Sequence, residues 1–201
     1  VWFLDLINEY VNSWALSIII FTLILKLALF PVTAKGFASM AGMRKVGPMM
    51  KDIQDRHKND RQKASAEVMA LYKKEGVNPL GGCLPVLAQM PFFIGFFFAL
   101  REMVELRHAS FYWISDLSIP DPLFILPVLF GLVMVSTQKL SPAPPTSDPT
   151  QAQVMKYMPV VFSIFFFIFP AGLCLYSVVN SGFSLGQQRY LYKKTGVLGD
   201  V

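Results

Sequence analysis

Apolar residues dominate the stretch from Trp14 to Thr33, and Pro31 marks its end, so residues 14–33 read as a membrane-spanning helix. Four later stretches repeat the pattern, at 79–100, 122–138, 154–169 and 173–190. Ahead of the first span, residues 1–12 follow a 3.6-residue period. Trp2, Phe3, Leu6, Ile7 and Tyr10 fall on one face, and Asp5, Asn8, Glu9 and Asn12 on the other. The run is too short and too polar to span and predicts a helix lying in the interface plane; the alternative is the soluble tail end of a preceding domain. Residues 34–77 change character. A first amphipathic helix carries Met40, Met43, Met50 and Ile53, with an irregularity expected at Gly47–Pro48. A second starts at an Asn59/Asp60 cap, carries Ala64, Val68, Leu71 and Tyr72, and stops at Gly76. A short turn between them makes a helical hairpin. The stretch SPAPPTSDPTQAQ (141–153) is too rich in proline for a helix. The expected fold is an all-α integral membrane protein. It has five transmembrane helices, a cytoplasmic helical hairpin over 34–77 and an N-terminal interfacial amphipathic helix, with 13–201 forming one core.

Composition supports the membrane class. The chain is 54% hydrophobic, with 18 phenylalanines among 201 residues and a mean hydropathy of +0.47. Only 15% of residues are charged, against about 25% in soluble domains. Val1 stands where an initiator Met would be, which reads as a fragment whose N-terminus has been cut away. Cys83 and Cys174 sit at different expected depths, so a disulfide is not expected, and two cysteines without a nearby histidine make no metal site. Charge sets the orientation. With the N-terminus outside, inner loops and flanks carry 15 basic residues, ten of them in the hairpin, and the outer parts carry only Arg101 and Arg107. Cytoplasmic loops retain lysine and arginine, so this split places the N-terminus outside and the C-terminus in the cytoplasm.

The spans are not uniformly apolar. Lys26 lies well inside the first, where a lysine costs about 2.5–3.5 kcal/mol at the membrane centre on insertion scales. It shares a face with Thr22 and Thr33. In the fifth span, Asn180, Ser184 and Gln188 recur every four residues, after Tyr176 and Ser177. Gln89 sits midway along the second span. Counting roughly 1.5 Å per residue puts Lys26 roughly 10–13 Å from the inner end of its helix. These groups converge on the inner leaflet and suggest a water-filled recess open to the cytoplasm. Blander readings exist for each: Lys26 snorkelling inward, hydroxyls and amides as interhelical glue, hairpin methionines as ordinary core. Catalysis finds no support. His57 and His108 lie outside the spans on opposite sides, a metalloprotease motif is missing, and no Asp or Glu lies within any span. No metal, other cofactor or nucleic acid is expected.

The strings NPLGGCLPVLAQMPFF (78–93), VELRHASFYWISDLSIPDPLFILP (104–127), QKLSP (138–142) and MPVVFSIFFFIFPAGLCLYSVVN (158–180) resemble the YidC/Oxa-type membrane protein insertases, most closely the bacterial form. The resemblance covers nearly all of the chain. It implies a bacterial inner-membrane insertase and chaperone with a positively charged groove open to cytoplasm and lipid, acting alone or with the Sec translocon. The groove charge, often Arg in the family, is Lys26 here, which keeps the charge but loses the bidentate fork. Thr22 and Tyr176 fall at positions implied to meet substrate. Lys26, Thr22, Gln89, Tyr176, Asn180, Ser184 and Gln188 are thus the candidate groove, and Phe92, Phe96, Phe165 and Phe169 a candidate hydrophobic slide. Implied partners are nascent membrane proteins with short acidic translocated tails, the lipid bilayer, the Sec translocon, and ribosome or signal-recognition components. The alternative from another class is a small-solute channel or transporter whose pore is the recess.

Overall fold

The computed structural model describes residues 2–141 and 149–196. Most of the proline-rich loop read over 141–153, and the end of the tail, lie outside the described residues. Within them the protein is all-α. In order come α1 (Trp2–Val11), α2 (Trp14–Ala28), α3 (Phe30–Arg56), α4 (Arg61–Lys74), α5 (Leu84–Glu102), α6 (Ile125–Leu140), α7 (Pro149–Phe165) and α8 (Ala171–Lys194).

The chain bends by 120° between α1 and α2. Helix α1 rests on α2 through Leu4, which is buried, while Trp2, Phe3, Leu6 and Tyr10 stay exposed. The apolar face read from the period is therefore mostly outward, with Ile7 half-buried and Phe3 meeting Phe21 of α2 edge-on at 5.9 Å between centroids. The first span ends sooner than expected. Helix α2 stops at Ala28, Leu29 adopts φ −85°, ψ 0°, and a new helix begins at Phe30. Pro31 causes this: in a continuous helix its ring would clash with the carbonyl four residues back, whereas at a helix start its missing N–H costs nothing. The hairpin therefore begins at Phe30 rather than residue 34. Pro48 does not break α3, which runs through the irregularity expected at Gly47–Pro48. Val46, Met50 and Ile53 around it are clamped against Val68 and Tyr72 of α4.

Helix α4 matches its sequence signals. Asp60 caps it by accepting from the Lys63 N–H at 3.1 Å, and Gly76 leaves it at φ +65°, a left-handed conformation that suits glycine. The 3₁₀ turn Pro79–Gly82 leads to α5 and packs on α3. A Cβ at Gly81 would fall 2.4 Å from the Ser39 hydroxyl, so only glycine allows this approach.

Helices α2, α6 and α8 pack together, with α7 against α6. The apolar core joins Ile18, Phe96, Leu100, Leu126, Phe130, Phe166, Leu173 and Cys174. The last three apolar stretches differ from expectation in their boundaries. The third span begins at Ile125 rather than 122, because Leu123 and Leu126 donate main-chain hydrogen bonds to the buried Asp121 carboxylate and delay the helix. The fourth begins at Pro149, inside the stretch judged too proline-rich, because proline fits a first turn. It stops at Phe165, and Phe166, Phe167 and Ile168 form i→i−3 turns instead. Over the fifth stretch, α8 has 24 residues and runs to Lys194 rather than 190, since helix length is not set by hydropathy alone.

Among the described residues no single helix is long and apolar enough to cross a membrane; α1 and α2 reach that measure only as a bent pair. Large apolar side chains nevertheless cover the outside, including Leu87, Phe98, Leu132, Val154, Ile164 and Phe165. On α7 the one buried residue between Val154 and Phe165 is Ser163, which meets Gly131 of α6. Small residues at such a crossing, with bulky ones turned outward, characterise helix packing in lipid. On the far side, the 103–124 connection is fastened to α8. Ala171 and Gly172 donate N–H bonds to the carbonyls of Ile119 and Leu117. Asp116 accepts from the hydroxyl and N–H of Ser118, and the hydroxyl bond holds its carboxyl below the usual range.

Candidate functional site

Helix α8 presents Tyr176, Asn180, Ser184 and Gln188 at four-residue intervals, a stripe about 18 Å long down one face. Helix α2 packs along it. Lys26 is 4% exposed, and its Nζ donates to the Ser184 hydroxyl at 2.6 Å. An ammonium has three N–H donors, and no carboxylate among the described residues pairs with this one. One turn earlier, Thr22 is fully buried and turns its hydroxyl back to the Ile18 carbonyl at 2.7 Å.

Towards the N-terminal end of α8, Tyr176 closes the stripe. Its hydroxyl accepts from Gln89 Nε2 of α5 at 2.6 Å. Its ring stacks on Phe96 with centroids 4.4 Å apart, and Phe96 stacks on Phe21 at 6.0 Å. At the other end, Gln188 Nε2 donates to the Tyr192 hydroxyl at 3.1 Å. Enclosed along the same helix, Ser177 Oγ, Asn180 Oδ1, Gln188 Oε1 and both amide atoms of Gln187 have no hydrogen-bond partner. A buried polar atom without a partner costs roughly 1–3 kcal/mol, so a cluster of five on one helix marks a place shaped for something other than tight packing.

The structure therefore brings Lys26 to Ser184, Gln89 to Tyr176, and both pairs onto one helix. Thr22 is in the same seam but bonds only within its own helix. At Lys26 the seam is covered and not open. The phenylalanines divide. Phe92 and Phe165 are exposed, Phe169 is half-buried against the core, and Phe96 lies inside it at 4% exposure. Phe96 thus leaves the slide: it shares a stripe with Phe92 one turn away, but Phe21 and Tyr176 cover it. Sequence reasoning passed over Arg44, whose Nη1 donates to the Leu140 carbonyl at 2.8 Å with the guanidinium 6.0 Å from the Tyr192 ring centroid. This ties the hairpin to the ends of α6 and α8. No local pattern announces it, because its partners lie about a hundred residues or more away.

Residues 6–197 match the family model described as 60Kd inner membrane protein. The chain belongs to this inner membrane protein family. Among curated members, it is 50% identical to the membrane protein insertase YidC of Ectopseudomonas mendocina over 96% of this chain and 33% of that protein. It is 52% identical to the YidC of Marinomonas sp. over 96% of this chain and 35% of that protein. The chain thus spans about a third of the length of these curated relatives. A solved family structure, an active YidC insertase crystal structure with the first transmembrane domain resolved, matches with a TM-score of 0.73 and 30% identity. That match covers 92% of this chain and 43% of the other. The all-α architecture of this inner membrane protein family is therefore shared by the chain.

Proposed function

We propose that the chain is the working core of a membrane protein insertase, with no bond-making chemistry of its own. Its five spans are α2, α5, α6, α7 and α8, with the N-terminus outside, α1 in the outer interface and the α3–α4 hairpin in the cytoplasm. The single observation that carries the reading is the Lys26 ammonium, enclosed between α2 and α8 with one hydroxyl partner and no carboxylate.

A buried charge with unused donors favours an incoming acidic group, because a charge-assisted hydrogen bond is stronger than a neutral one. An acidic tail of a nascent protein is drawn towards Lys26 as α2 and α8 separate. Tyr176, Asn180, Ser184, Gln188 and Gln89 supply replacement hydrogen bonds along its path, and Thr22 adds a hydroxyl. The apolar segment behind the tail leaves into lipid past Phe92 and Phe165, with Phe169 at the edge. The partners of this cycle are the nascent chain and the bilayer. We extend the proposal to the Sec translocon, and to ribosome or signal-recognition components delivering the chain, as the resemblance to the YidC/Oxa-type insertases implies.

The packing supports this over a small-solute channel. Beyond Tyr176 the stripe meets the Phe21–Phe96–Tyr176 stack and the apolar core, which favours a recess ending inside the membrane. The test is insertion of a substrate with a single acidic residue in its translocated tail, by the full protein in proteoliposomes. Lys26→Ala should slow insertion by about tenfold or more, given roughly 1.5–3 kcal/mol for a hydrogen bond to a charged group, and Lys26→Arg should retain it. Normal insertion by the alanine variant sinks the charge mechanism. Solute flux in the same vesicles without insertion would select the channel.

A further inference from the structure

The outer end of the molecule holds a second feature that the groove does not use. Between the last turns of α5, the 103–118 connection and the Pro170 turn lies a cavity of about 200 Å³. Phe97, Leu100 and Pro170 give it an apolar floor, laid over the buried side chains of Met103, Leu106, Leu117 and Leu173. Its walls are held by main chain: the Gly172 N–H donates to the Leu117 carbonyl at 2.9 Å. A Cβ at position 172 would stand only 3.2 Å from that carbonyl.

Arg101 and Arg107 line this cavity, and both are exposed. The Arg101 guanidinium lies 5.9 Å from the Phe97 ring centroid. Among the described residues neither arginine forms an ion pair, although Glu102 and Glu105 are close in sequence. These are also the two basic residues that the charge count leaves on the outer side. Two unpaired guanidiniums above an apolar floor form an amphiphilic site. A planar guanidinium fork matches phosphate oxygens, and the floor matches hydrocarbon. A free phosphate has no use for the floor, and a neutral chain has none for the arginines.

We propose that this cavity binds an anionic phospholipid of the outer leaflet, its phosphate held by Arg101 and Arg107 and the start of one acyl chain against Phe97, Leu100 and Pro170. The inference rests on the orientation proposed above, which puts the end of α5 at headgroup level. Bound there, the lipid would brace the outer end of α5 against α8, opposite the end where the groove opens.

The test uses the full protein in vesicles containing photoactivatable phosphatidylglycerol, with crosslinks mapped by mass spectrometry. Wild type should be labelled at residues 97–107, and more than with photoactivatable phosphatidylcholine. Arg101→Gln and Arg107→Gln should each lower labelling by about fivefold, the worth of one basic residue at an anionic surface. Replacement of both by Lys should retain most of it. Undiminished labelling of the double Gln variant, or equal labelling by phosphatidylcholine, overturns the proposal. Loss of labelling in millimolar inorganic phosphate would assign a free-anion site instead, and loss on adding an acidic peptide would assign a protein partner. Orientation is read separately with Ser110→Cys in a Cys83→Ser background and a membrane-impermeant maleimide. No reaction from outside means the orientation is wrong; reaction without lipid crosslinking means that only the lipid site is wrong.

Discussion

In the hairpin, α3 and α4 meet through Val46, Met50, Ile53, Val68 and Tyr72, and their charges face outward. In the seam between α2 and α8, Thr22, Lys26, Tyr176 and Gln188 are inside, while Leu16, Ile24 and Leu27 of α2 are exposed. Two helix pairs of one chain thus sort their side chains in opposite senses. In the proposed orientation water surrounds the hairpin and drives apolar surface inward. Lipid around α2 would give no such drive, so small and polar groups could take the interior and bulky apolar ones the outside. The hairpin is held chiefly by burial, whereas the seam adds the Lys26–Ser184 hydrogen bond to its apolar contacts.

That contrast can be broken in graded steps. Lys26→Ala, described above, has the largest functional effect. For stability the largest belongs to Tyr72→Ala, which empties a buried aromatic site whose hydroxyl reaches Met50 Sδ at 3.1 Å. It should cost the hairpin about 3–5 kcal/mol, seen as faster amide exchange over α3 and α4 with α8 unchanged. Faster exchange in α8 as well would mean that the two regions unfold as one. Asp60→Ala removes the α4 cap and should cost about 1 kcal/mol, confined to the first turns of α4 in the same measurement. The smallest effect belongs to the α5–α8 bond beside the seam: a double-mutant cycle of Gln89→Leu with Tyr176→Phe should give a coupling of about 0.6 kcal/mol in bilayer unfolding. A coupling several times larger would make this bond a structural fastener and not an exchangeable one.

The same division explains what the sequence revealed. Helix α4 was legible from Asp60 to Gly76 because its signals are local. The all-α class and the stripe on α8 were legible from periodicity, and Lys26 from its cost. The division at Leu29 was not, because nothing there interrupts the apolar run and Pro31 reads equally as an end or a beginning. Phe92 and Phe96 look alike on a helical wheel; only the arrival of Phe21 and Tyr176 from other helices separates them. The pairing of Lys26 with Ser184 spans 158 residues, so sequence could propose both groups but not their contact.

The break at Leu29 has a mechanical consequence. Helix α3 has 27 residues, so it reaches about 40 Å from the single residue that joins it to the buried lysine's helix. A rotation of about ten degrees there would sweep its far end through about 7 Å for an arm of that length. In the proposed cycle, a small rotation at Leu29 would therefore become a displacement of several ångströms at the turn joining α3 to α4.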